Sequence, residues 1–68
     1  MLMKSYTPKE VIQVLEKNGF ALSRSKGSHH VFRHPDGRKT VVPLHNKDLP
    51  KGTLMAIIKQ SGLSRDEF

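Results

Sequence analysis

No cysteine occurs anywhere in the chain, so disulfide staples and thiolate zinc sites are both excluded. Stability must come from packing of Leu, Ile, Val, Phe and Met. A chain of 68 residues buries only about 60% of its unfolded surface, which predicts one domain, residues 1–68, with a compact core built from few elements. No stretch approaches the roughly 18 apolar residues of a membrane span. The opening Met1-Leu2-Met3-Lys4-Ser5 lacks the apolar segment of a signal peptide. Together with the missing cysteine, this gives the expectation of a soluble, cytoplasmic chain without a membrane partner.

Acidic side chains are also scarce. Six Asp and Glu stand against twelve Lys and Arg, a formal net charge of +6. Such a field speeds encounter with anionic partners and favours nucleic acid, a membrane surface or an acidic protein. A merely solvated basic surface is the plainer reading of charge alone. Repeats, linkers and low-complexity segments are absent too.

What is present reads as helix, three strands, helix. Thr7-Pro8-Lys9-Glu10 has the form of a capping box with proline at the first helical position. Val11, Val14 and Leu15 then recur at helical spacing, Ile12 widens the apolar face, and Asn18-Gly19 stops the helix. Phe20 to Ser25 reads as a first strand with Phe20 and Leu22 on one face, and Lys26-Gly27-Ser28 as a turn. His29 to Arg33 is a second strand, closed by Pro35-Asp36-Gly37, and Arg38 to Val42 a third. Pro43 falls where a missing N–H costs least. A polar loop, 44–50, leads into a second helix from about Pro50 to Gln60, with Leu54, Ile57 and Ile58 as its apolar face and Gly62 as its stop. Ser64-Arg65-Asp66-Glu67 has the form of another capping box, opening either a single turn or a further helix. The fold class is α+β, with both helices covering one face of a three-stranded antiparallel sheet. The other face is left open, and the glycine turn and the loop before the second helix are expected at neighbouring edges.

Alternation along the second strand separates its two adjacent histidines. His30, Phe32 and His34 share one side and His29, Val31 and Arg33 the other. Phe32 is the largest apolar residue there, so its side should face the helices. His29 and Arg33 then project from the open face, where an imidazole beside a guanidinium suits a phosphodiester. An imidazole changes charge near neutral pH, which equips His29 for proton transfer; an exposed histidine with no task is the alternative. His30 reads as structural. His34, extended before Pro35, is expected to orient the turn. His45 could supply a second proton-transfer group or phosphate contact, or simply be a solvated loop residue. His30 and His34 have a metal-like i, i+4 spacing, but on a strand rather than a helix and without a carboxylate or cysteine at a convincing distance, so no metal site is expected.

Arg24, Lys26, Arg33, Arg38, Lys39, Lys47 and Lys51 cluster on the strands and adjoining loops. Phosphate contacts of this kind position a polyanion without reading its sequence. Lys51-Gly52-Thr53 adds free N–H groups at the positive end of a helix.

The chain resembles the HicA (YcfA-like) toxins of HicAB toxin–antitoxin systems. The matching pieces are Lys26-Gly27-Ser28-His29-His30 with Phe32, His34-Pro35-Asp36-Gly37, Val42-Pro43-Leu44-His45, Leu49-Pro50-Lys51-Gly52-Thr53-Leu54 and Ile57-Ile58-Lys59-Gln60-Ser61-Gly62-Leu63, with Asn18-Gly19-Phe20 before them. The resemblance implies a double-stranded-RNA-binding-domain-like fold and an mRNA interferase that needs no cofactor. It also implies a cognate HicB-like antitoxin that covers the active surface. His29, after the glycine-serine turn, corresponds to the family's essential histidine. Arg24, Lys26, Gly27, Ser28, Arg33, Lys39, His45, Lys47 and Lys51 are the candidate RNA contacts. The general acid stays open among His45, a lysine and water. A non-catalytic RNA-binding module of the same fold is the main alternative, and a domain that docks an acidic protein a third.

Overall fold

A computed structural model describes residues 5–44 and 47–68. The first helix, α1, spans Pro8–Lys17. It begins where the sequence places it because its first turn satisfies itself: the Glu10 N–H donates to Thr7 Oγ1 (3.2 Å) and the Thr7 N–H to Glu10 Oε1 (2.9 Å), closing the box. Asn18 caps the other end, and Gly19 leaves it at φ 93°. Gly19 is needed twice over, since a Cβ there would stand 2.9 Å from His34 Nε2.

Three strands follow, β1 (Ala21–Lys26), β2 (His29–Arg33) and β3 (Lys39–Pro43), in sheet order β1-β2-β3 with both pairings antiparallel. The second helix, α2, spans Lys51–Ser61 and ends at left-handed Gly62. Its boundaries and those of β1 and β3 lie one residue beyond the sequence reading, an ordinary displacement for element ends. Among the described residues no helix is long and apolar enough to cross a membrane.

Both helices pack on one sheet face and make their main sheet contacts with β3. Val11 and Leu15, one helical turn apart, are fully buried against Phe20, Phe32, Val42, Leu54 and Ile57. Each such side chain contributes about 2 kcal/mol by leaving water. Two polar residues share this core and both are satisfied: Thr40 Oγ1 donates to Gln60 Oε1 (2.8 Å), and Ser61 Oγ donates to the Ile58 carbonyl (2.9 Å).

Leu22 departs from the sequence reading. It pairs with Phe32, on the helix side, yet is 52% exposed while Phe20 is buried. The reason is lateral: the helices make their main sheet contacts with β3, two strands away, and β1 is the far edge.

The tail takes the first of its two expected forms, a single turn, but without the expected cap. Residues Arg65–Glu67 form a single 3-10 turn, and Ser64 makes no side-chain cap, so the expected box is not formed. Packing decides that end instead. The Phe68 ring meets Tyr6 edge-on with centroids 5.8 Å apart, and the Tyr6 hydroxyl donates to the Phe68 carbonyl.

Candidate functional site

The β1–β2 connection is a two-residue turn, Gly27-Ser28. Gly27 has φ 59° and no non-glycine residue among those described has positive φ, which is the type II′ pattern that suits a twisted hairpin. A Cβ at Gly27 would meet nothing within 4 Å. Glycine is therefore required here for its backbone angle, and the space above it is open. The Ser28 carbonyl accepts a bond from the Leu44 N–H at 2.6 Å, which ties the turn to the loop before α2, as expected. His45 comes next in the chain and lies, with Asn46, outside the described residues.

Strand pairing decides which side chains share the open face. His29 stands opposite Lys26 on one side and Pro43 on the other. Val31 stands opposite Arg24 and Val41, and Arg33 opposite Ala21 and Lys39. Directly paired residues project from the same face, so Arg24, Lys26, His29, Arg33 and Lys39 are gathered on one side of the sheet. The opposite side holds His30, Phe32, Thr40 and Val42, of which the last three are buried. The two adjacent histidines are thus separated as alternation requires. His29 and Arg33 are exposed; His30 is half-buried, its Nδ1 lying 3.3 Å from the Ser28 carbonyl.

Simple alternation would not have placed Arg24 and Lys26 there. Counting from Leu22, which pairs with Phe32, it sends positions 24 and 26 to the helix side. A β-bulge between Leu22 and Arg24 resets the count, because Ser23 and Arg24 together oppose the single residue Val31. Only then do Arg24 and Lys26 fall on the His29 face. The sequence carries no turn or glycine signal for this bulge.

Electrostatically the face is one-sided. The strands carry Arg24, Lys26, Arg33 and Lys39 and no Asp or Glu. Among the described residues none of these four cations has an ion pair or a side-chain hydrogen bond, and the His29 ring has no hydrogen-bond partner. Arg33 directly opposes Lys39, a like-charge pair that costs stability in the absence of an anion.

Arg38 does not belong to this face. Its Nε donates to Asp36 Oδ2 (2.8 Å), its Nη1 donates to the Ser61 carbonyl (2.6 Å), and its guanidinium lies 5.4 Å from the Phe20 ring centroid. A cation at the C-terminal end of α2 is favourably placed for the helix dipole. The turn beside it, Pro35-Asp36-Gly37, is equally bonded. Asp36 Oδ1 accepts from the Arg38 N–H (3.0 Å), and His34 Nδ1 lies 3.2 Å from the Asp36 N–H and 3.0 Å from Asp36 Oδ1. His34 also packs edge-on against Phe20, centroids 5.2 Å apart, so it orients the turn as expected. The hydrogen bond from the Arg38 N–H, reinforced by the Arg38 side chain, holds the Asp36 carboxyl below its usual pKa of 3.8.

Lys47 is an exposed loop residue, and Lys51 opens α2, in the layer on the opposite side of the sheet. The strand register does not bring either to His29. Pro50 caps α2 without a side-chain bond and the first turn holds no acid.

No individually curated protein matches the chain. The family model of the HicA toxin of bacterial toxin–antitoxin systems, by contrast, matches residues 8–63. That span runs from the first turn of α1 past the end of α2 and contains the whole sheet with its unpaired basic face. The protein therefore belongs to the HicA toxin family, the toxin side of a toxin–antitoxin pair.

Proposed function

We propose that this toxin is a metal-independent endoribonuclease that cuts messenger RNA and so arrests translation. The observation that carries the reading is the exposed His29 in an acid-free sheet face where four cations stand without partners among the described residues. A binding surface for a polyanion has this form, and the imidazole gives it a reaction.

In that reaction His29 takes the proton of a ribose 2′-hydroxyl, and the freed oxygen attacks the adjacent phosphorus. The bond from phosphorus to the 5′-oxygen breaks, and that oxygen leaves with a proton from a general acid, for which His45, a lysine or water qualifies. The products are a 2′,3′-cyclic phosphate and a 5′-hydroxyl; water later opens the ring. Lys26, paired with His29, stabilises the charge that builds on the phosphoryl oxygens, and Arg24, two residues along, holds a neighbouring phosphate. The open space over Gly27 lets the substrate backbone approach the turn. Arg33 and Lys39 hold the flanking phosphates, while Ser28, Lys47 and Lys51 are further candidate contacts. The cognate HicB-like antitoxin silences the toxin by covering this face.

DNA lacks the 2′-hydroxyl, so it should bind without being cut. The test is to incubate the protein with a message in EDTA beside His29→Ala. Fragments ending in cyclic phosphate are expected from the native chain alone. Equal cutting by both proteins removes His29 from the chemistry. If neither cuts but both bind RNA with a steep salt dependence, the protein is a binding module.

A further inference from the structure

The partnerless side chains of the open face are not scattered. They fall on three rungs set by the pairing: Lys26–His29–Pro43, then Arg24–Val31–Val41, then Ala21–Arg33–Lys39. Successive rungs are two residues apart along β2, a step of about 6.8 Å. This is close to the length of one extended nucleotide. Every rung carries at least one Lys or Arg, and His29 occupies an end rung rather than the middle one. Across the strands the face is only about 10 Å wide, enough for one nucleic-acid strand. Its centre is apolar, with Val41 40% exposed beside Val31.

The geometry points to single-stranded RNA lying along the strands, three consecutive phosphates on three rungs, with the scissile phosphate at the Lys26–His29 end. The footprint is then lopsided: nucleotides on one side of the cut are held by Arg24, Arg33 and Lys39, and those on the other side have no rung. This rests on the nuclease reading for its choice of polyanion and adds the strand state, the path across the sheet and the length of the substrate.

Two features argue against a duplex. In-line attack needs the 2′-oxygen, phosphorus and leaving oxygen aligned, and a continuous A-form helix holds them out of line, whereas an extended strand can adopt the arrangement. The aromatic rings are also elsewhere: Tyr6, Phe20 and Phe32 are buried and Phe68 packs on Tyr6. With no Phe, Tyr or Trp on the face to stack a base, recognition runs mainly through phosphates, and base identity should matter little.

The test uses 2′-O-methyl RNA, which cannot be cut, as single-stranded oligomers with one, three or five phosphates and as a duplex, titrated by NMR. Affinity should rise from one phosphate to three and then level off. Combined Arg33→Ala and Lys39→Ala should weaken the three-phosphate oligomer, flatten its log–log salt slope by about 0.7, and bring the length at which affinity levels off down from three phosphates to two. Equal weakening of all lengths, or a duplex bound as tightly as the single strand, overturns the ladder. Competition by polyglutamate as strong as that by the oligomer also overturns it, leaving a general acidic-docking face. The chemistry is read separately on unmodified RNA. If oligomers bind by rungs but RNA survives, the nuclease reading fails and the ladder stands. If RNA is cut while the double variant handles short and long substrates in the native ratio, the ladder fails and the nuclease reading stands.

Discussion

The β1–β2 turn and the β2–β3 turn are built from similar parts: each has a positive-φ glycine, Gly27 or Gly37, next to a histidine and basic side chains. Around Gly37 everything is tied. His34, Asp36 and Arg38 bond one another, and Arg38 reaches the end of α2. Around Gly27 the side chains of Lys26 and His29 have no partner among the described residues. Residue type therefore does not mark function in this fold. What separates the two ends of the sheet is whether the charges and rings have been answered from within the protein.

The sharpest test of this contrast is the pair His29→Ala and His34→Ala. Loss of His29 should reduce RNA cutting by about 100- to 10,000-fold with stability within about 0.5 kcal/mol of the native chain, by chemical denaturation. Loss of His34, which removes a packed ring and a hydrogen-bond partner, should cost about 1 kcal/mol and leave activity per folded molecule near native.

Arg38→Ala should show the next effect. It strands the carbonyl of buried Ser61, costing about 2 kcal/mol in urea unfolding. RNA affinity and its salt slope should hold, because Arg38 is not on the open face. A slope flattened as much as in Arg33→Ala would show that the two ends are less distinct than the bonding suggests.

Gly27→Ala and Gly37→Ala make a finer comparison. Both glycines have positive φ and open space where a Cβ would go, so each change should destabilise by about 1 kcal/mol. Only Gly27→Ala should also slow cutting, since it alone disturbs the turn that presents His29.

The smallest effect is the acid limb of stability. The carboxyl of Asp36 is depressed in the folded chain, so its stabilisation is present above the ordinary value of 3.8 and is lost as pH falls through the lower folded value. Thermal unfolding of Asp36→Asn should therefore lie below that of the native chain at neutral pH, with the gap closing below pH 3.8. A constant gap would assign the loss to shape rather than to charge.

Much of this was legible in the residues. The Thr7 box started α1 where it was expected, β2 ran from His29 to Arg33 as expected, and alternation sent His29 and His30 to opposite faces. The α2 apolar face, Leu54, Ile57 and Ile58, is buried as its spacing requires. Three features were not legible. The bulge turns Arg24 and Lys26 onto the His29 face, although alternation from Leu22 predicts the reverse. Arg38 reads as one more surface cation until Ser61 is folded beside it. Ser64 has a capping sequence, but the turn it begins is set by Phe68 on Tyr6.

What the sequence determined by itself is what a few neighbouring residues can settle: helix starts and stops, turn glycines, and the parity of an unbulged strand. These rest on backbone angles and hydrogen bonds spanning two to four positions. Tertiary structure decided which cations were left free. Whether a guanidinium finds a carbonyl 23 positions away, or a strand shifts by one residue against its partner, depends on pairing between distant segments. That choice tied the charges at one end of the sheet and left those around His29 open.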